Sequence, residues 1–340
     1  MQPPDYNPAV PYLPLLAHPD VTVQQHASAI LLSTYGNHAL TLLRRCLSSP
    51  DTHLRQQAQL ALQHITRLSG LPIYAEPFRG FYIESLGRLR LFVDHREVRL
   101  DTWVRREHGS VGWQKLQGVL GYLLHCGRQG TTIAALETAI WGSTRAATTG
   151  RTLQTLRDLL TSLRDAAFAE YALLIADNHC LLNPDAYRSD VQAFEQTFAL
   201  ATHTETTRGL EAAAPLYRQA LHLYGGPYLI DLPNGAPWAH IRRDHLRGNV
   251  LIAAERVAEA LYTAGRFAEC VALCSQIFDS DESADDVVAW LLRAYSQLGQ
   301  TGLLEHTYRR YLQANDLDER SLEGQHDVVV ATYADLRARQ

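Results

Sequence analysis

Residues 260–267 read ALYTAGRF, and 34 residues later residues 294–301 read AYSQLGQT. No other feature restricts the fold of this chain as strongly, because a repeat of that length is one helix pair that cannot bury its apolar side alone and must stack on its copies. Gly265 and Gly299 fall where each helix would close, a position that needs left-handed backbone, and the small alanines let paired helices approach. The sequence is therefore expected to be helical from about Asp190 to its end.

A second repeat, of period 31, opens the chain. LAHPDVTVQQHA at 16–27 aligns with LSSPDTHLRQQA at 47–58, matching at Pro, Asp, Gln and Ala. In each copy Pro-Asp suits the first turn of a helix, with proline already at helical φ and the acid near the positive end of the helix dipole. An apolar face follows in both, Val23, Ala27, Ile30 and Leu31 in one and Leu54, Ala58, Ala61 and Leu62 in the other. These units resemble HEAT-type helical repeats; two such units are too few to stand alone, so the segment is expected to lean on the rest of the chain or on a partner.

Between the repeats the periodicity changes. Gly70, Pro72, Pro77 and Gly80 read as a connector. Leu89, Leu91 and Val93 then alternate with Arg88, Arg90 and Phe92, and Asp94-His95 turns the chain into residues 96–100, a short hairpin or meander. Helices are expected over 113–126, with a stripe of Leu116, Val119, Leu120, Leu123 and Leu124, over 132–141 and over 149–168. Strands at 173–175 and 180–182 flank Asp177-Asn178. Strands, three helices and a terminal hairpin make a winged helix-turn-helix.

In order, ESLGRLRLFVDHREV, LGYLLHCGRQG, ALETAIWG, LQTLRDLLTSLRDA and LLNPDAYRSDVQAFE resemble the response-regulator-type winged helix of the SARP class of bacterial regulators. The stretch LYRQALHLYGGPYLIDLPNGAPWAHIRRDHL resembles the bacterial transcriptional activator domain of the same class, with Leu223-Tyr224-Gly225-Gly226 and Trp238 to Arg242 at its hallmark positions. The resemblance implies a four-stranded sheet ahead of the three helices, a third helix that reads the major groove, and a hairpin that touches the DNA backbone or minor groove. It covers residues 80 to 340. Two departures stand out: 101–112 is long for the class, and His179-Cys180 replaces the usual Gly-Tyr of the wing. Asp316 and the residues after it replace the usual Glu-Leu-Gly, so the last helix is expected to dock differently.

The fold class so read is mainly α: HEAT-like repeats at 1–75, a winged helix with a small β-sheet at 76–188, and a tetratricopeptide-like activator domain at 189–340. Charge follows the same division. Residues 1–78 are neutral, 79–168 carry +5 and 169–340 carry −10, within a total of −5. A basic middle beside an acidic tail suits one domain that faces phosphate and another that does not.

No catalytic constellation is present: G-x-S-x-G, H-E-x-x-H and C-x-x-C are all missing, and the GSVGWQK run at 109–115 lacks the ending of a phosphate loop. Cys270 and Cys274 share a helix face without further ligands nearby, which suits packing better than metal. A non-enzymatic protein without cofactor or metal is expected. No run of eighteen apolar residues occurs and the first residues lack a signal-peptide pattern, so no membrane association and a cytoplasmic location are expected.

The DNA-reading expectation rests on the helix at 149–168. Its stripe of Leu153, Leu156, Leu160, Leu163 and Ala167 would be buried, leaving Arg151, Gln154, Thr155, Asp158 and Ser162 open. Arg pairs with guanine, Gln with adenine and Thr with a thymine methyl or phosphate. Arg145, Thr148 and Thr149 at the start of the helix would meet phosphate. Tyr224, Tyr228 and Trp238, with Arg242, would lock helix pairs of the activator domain or meet a partner. Two functions follow: a DNA-binding activator that contacts RNA polymerase through its helical domain, as monomer or homodimer, or a protein scaffold whose winged helix no longer binds DNA.

Overall fold

In the computed structural model, residues 7–35, 38–47, 49, 51–69, 80–93, 96–107, 112–143, 146–232, 235–317 and 327–338 are described. The chain is mainly α, as expected, and divides into two compact units: residues 1–196 with 223–244, and residues 197–222 with 245–340. No helix among the described residues is long and apolar enough to cross a membrane.

The first unit begins with helices α1 (Leu13–Leu16), α2 (Val21–Tyr35), α3 (His38–Cys46) and α4 (Thr52–Ser69). Both repeat acids start helices as the sequence predicts. The Asp20 carboxylate accepts the Thr22 amide at 2.8 Å and Asp51 accepts that of His53 at 2.8 Å, satisfying first-turn N–H groups that have no helical partner. Ala27, Leu31, Ala58, Ala61 and Leu62 are buried in a core of this segment's own, with Val23, Ile30 and Leu54 half-buried. Tyr35 reaches out to Tyr82, ring centroids 6.3 Å apart, so the segment does lean on the sheet that follows. Pro50 and the connector at 70–77 lie outside the described residues.

Strands β1 (Phe81–Glu84), β2 (Arg90–Val93) and β3 (Arg96–Val98) form the expected meander, its turn at 94–95 lying outside the described residues. Helix α5 (Leu100–Glu107) occupies the stretch that is long for the family. Then come α6 (Trp113–Cys126), β4 (Thr131–Thr132), α7 (Ile133–Trp141), α8 (Ala146–Leu163) and α9 (Ala166–Ala172), followed by the hairpin β5 (Leu173–Ala176) and β6 (His179–Leu182), β7 (Tyr187–Ser189) and α10 (Asp190–Arg208). Two expectations need correction. The helix expected over 149–168 starts at Ala146 and stops at Leu163, because Asp165 takes extended backbone and its carboxylate caps a new helix through the Phe168 amide at 2.7 Å. The four-stranded sheet does not wholly precede the helices: its order is β3-β2-β1-β7, and β7 returns after the hairpin to pair parallel to β1, Phe81 opposite Tyr187.

Asp190 fixes that return. Its buried carboxylate accepts the Ser85 and Leu86 amides and the Ser85 hydroxyl at 2.7–2.9 Å, and the Val191 amide at 2.8 Å. Burial pushes the Asp190 carboxyl up from its ordinary value, against which these amides work.

The second unit contains the later turns of α10, then α11 (Leu210–Leu223), the body of α12 (His240–Thr263), α13 (Phe267–Ser280), α14 (Asp285–Gln297), α15 (Thr301–Ala314) and α16 (Val328–Ala338). The 34-residue repeat is literal in the backbone. The Arg266 amide donates to the Leu261 carbonyl at 2.8 Å and the Gln300 amide to the Tyr295 carbonyl at 2.9 Å, each around a left-handed glycine, Gly265 at φ 71° and Gly299 at φ 68°. Asp316, at φ 51°, closes α15 in the same manner, so the substituted family position keeps the turn. Residues 318–324 lie outside the described residues, and α16 then docks by stacking Tyr333 on Tyr308 with centroids 3.8 Å apart. Cys270 and Cys274 are buried in this core with sulfurs 4.0 Å apart.

Candidate nucleic-acid interface

Three helices build the site. Thr132 starts α7 by accepting the Ala135 amide at 3.2 Å, and Gly142, left-handed at φ 72°, ends it. The turn leads into α8, whose Leu153, Leu156, Leu159 and Leu160 are buried and which packs against α6 and α7. This is the helix-turn-helix arrangement, with α8 as its second helix.

The open side of α8 differs from the sequence expectation in three residues. Thr148, Arg151, Gln154 and Ser162 are exposed, whereas Asp158, expected to be open, is half-buried. Thr149 and Thr155 instead point inward, both almost wholly buried, and the Thr155 hydroxyl donates to the Arg151 carbonyl at 2.9 Å. Threonine can turn inward because its hydroxyl is satisfied one turn back along its own helix, as that of Thr152 is on the Thr148 carbonyl. Of the buried stripe, Leu163 is half-buried and Ala167 exposed, since the helix has ended before it. Thr161, which the sequence expectation does not include, is also exposed and continues a row 148, 151, 154, 158, 161 whose spacing of threes and fours is visible in the sequence.

Within the row the Gln154 carboxamide donates to Asp158 at 2.9 Å, which orients its amide along the helix. The Ser162 hydroxyl is engaged by the Leu159 carbonyl at 2.7 Å. Arg145 lies outside the described residues, as do residues 109–111 of the loop-like GSVGWQK run; its Lys115 donates to the Ile140 carbonyl at 2.9 Å and lies over the Trp141 ring, both structural contacts.

The hairpin β5–β6 stands beside this helix pair as the wing. β6 pairs with β4, and the Ile133 amide donates to the Asn178 carbonyl at 3.0 Å, tying the wing tip to the start of α7. Its tip, Asp177 and Asn178, carries no positive charge.

Residues 189–321 match the bacterial transcriptional activator domain family. A winged helix followed by an activator domain is the SARP-class order that the sequence resembles. Mycobacterium tuberculosis EmbR, solved in complex with a low affinity phosphopeptide, has a similar fold, with a TM-score of 0.59 at 20% identity over 76% of this chain. The match spans 65% of the EmbR chain. No curated protein sequence matches this one.

The activator-domain residues singled out from sequence sit in the winged-helix unit. Trp238 does not lock tetratricopeptide-like helices together; its half-buried ring meets Tyr122 edge-on at 5.0 Å and His125 at 5.1 Å, both on α6. Tyr228 is buried against His125, centroids 6.2 Å apart, and Tyr224 packs on Phe194 at 6.1 Å. Arg242 pairs with Glu195 at 2.7 Å. The physical reason is the chain path: residues 223–244 belong to the first compact unit although the activator-domain match encloses them.

His125 is thereby closed in by aromatic rings, and burial, with Arg242 and Arg243 nearby, lowers its pKa below the ordinary 6.5. A folded value below the unfolded one means that the unfolded chain binds this proton more tightly. The neutral ring's contribution is therefore complete above pH 6.5 and is lost as pH falls below it. His125→Phe should flatten the fall in thermal stability between roughly pH 7 and 5; an unchanged slope in melting curves counts against this placement.

Proposed function

We propose that the chain is a sequence-specific DNA-binding transcription regulator, an activator that reads DNA with α8 and contacts RNA polymerase through its helical unit. The observation that carries this reading is the exposed row of Arg151 and Gln154 on α8, in a winged helix that precedes an activator domain. These side chains can bond base edges, and Thr148 at the start of the helix can reach phosphate. Phosphate binding by a basic segment within an acidic chain predicts duplex retardation that weakens steeply with salt. Arg151→Ala and Gln154→Ala should each reduce discrimination between a selected site and random duplex by about 1–3 kcal/mol. Unchanged affinity and specificity in both variants would remove α8 from the role.

A scaffold reading is favoured by one observation, the wing tip without basic charge. It requires that duplex binding be absent at low salt, which the same retardation series decides.

A further inference from the structure

The activator-domain residues that fold with the winged helix make more than aromatic contacts. Three backbone bonds sew them to the turn after β1: the Gly87 amide donates to the Pro227 carbonyl at 3.2 Å, Leu229 to Ser85 at 2.8 Å, and Ile230 to Gly87 at 3.1 Å. Asp231 then spans two elements of the winged helix. One of its oxygens accepts the Leu89 amide at 3.0 Å and the other accepts the carboxamide of Gln117 at 2.9 Å. Gln117 is buried on α6, and its own carbonyl oxygen has no partner among the described residues, so Asp231 supplies the bond that holds this side chain.

The segment is held in a conformation it would not keep by itself. Leu229, fully buried, has left-handed backbone at φ 53°, which a branched side chain strongly disfavours. Arg243 closes the loop over it, its guanidinium donating to the carbonyls of Tyr228 at 2.6 Å, Leu229 at 2.9 Å and Gly235 at 2.5 Å. Two glycines permit the approach. A methyl group on Gly121 of α6 would stand 2.7 Å from a Leu232 methyl, and one on Gly225 would stand 2.8 Å from the Leu86 carbonyl oxygen.

We propose that residues 225–232 and 235–243 are a brace on α6 that sets the position of the DNA-reading helix α8, so that release of the brace lowers DNA binding. The link to DNA rests on the proposed function, and the link to α6 does not. A strained residue held by bonds from both sides, and an acid reaching a buried amide, suit an element that can detach better than one that only fills space. The α6 helix packs directly on α8, which gives the brace its route to the reading face.

The test uses the full chain with Gly225→Ala, which sets a methyl against backbone, and Arg243→Ala, which removes the three closing bonds. Amide hydrogen exchange is followed in α6 and, as a check of folding, in α14, alongside retardation of a selected duplex. The expected result is exchange in α6 faster by about tenfold, unchanged exchange in α14, and duplex affinity lower by about tenfold in both variants. Arg243→Lys, which keeps the charge without the planar fork, should fall between parent and alanine, and it stays readable if an alanine variant fails to fold. Unchanged α6 exchange overturns the brace, and faster α6 exchange with undiminished affinity overturns its control of DNA reading. If the parent itself does not bind duplex, the proposed function fails while the α6 exchange still decides whether the brace exists.

Discussion

Asp190→Ala should lower the unfolding free energy of the chain by about 3–5 kcal/mol, because several buried N–H and O–H donors lose their acceptor at once. The amides of Ser85, Leu86 and Val191 and the Ser85 hydroxyl all end on this one carboxylate. Domains of this kind are stable by roughly 5–15 kcal/mol, so the loss is a large share of the total. Asp190→Asn retains one acceptor oxygen and should cost about 1–3 kcal/mol less than alanine does. Urea unfolding midpoints of the three proteins measure the difference. Equal midpoints for parent and alanine variant would mean that the closure of β7 on β1 does not depend on this residue.

Tyr311→Ala should cost the helical unit about 3–5 kcal/mol, the range for deleting a buried aromatic ring. The Tyr311 ring is almost fully buried, and its hydroxyl lies 2.9 Å from carboxylates of both Asp285 and Asp327. Those two acids sit at the starts of α14 and α16, so one phenol ties together two helix ends. Burial, with the neighbouring carboxylates, pushes the phenol pKa well up, and it remains a neutral donor. Tyr311→Phe keeps the ring and loses only the bridge, at about 1–2 kcal/mol. If the phenylalanine variant melts as low as the alanine variant, the bridge outweighs the packing and the ranking is wrong.

Much of the architecture was legible because it is written in local chemistry. Asp20, Asp51, Gly265 and Gly299 act at helix ends as their residue types dictate. The leucine stripe of α8 likewise announces which side is buried. Periodicity misplaces Thr155 because it ranks threonine as polar, whereas the hydroxyl turns back onto its own helix and the side chain is buried. Periodicity passes over Asp165 as a cap because the apolar spacing continues past it to Phe168. What no local rule could show is chain path: that β7 would return to β1, or that Tyr228 and Trp238 would settle on α6 more than a hundred residues earlier in the chain. Such pairings depend on shape and on bonds such as Asp231 to Gln117, which join residues with no sequence signal in common.

The turn at the tip of the wing limits how this protein can change. Asp177 and Asn178 both have left-handed backbone, φ 48° and 64°, as the tightest hairpin turns demand. Asp and Asn tolerate that region better than most residues, whereas lysine or arginine there would be strained by about 1–2 kcal/mol at each position. A basic, phosphate-gripping tip is thus not one substitution away. Descendants of this chain that acquire one should do so by insertion, a longer loop relieving the geometry before the charge arrives.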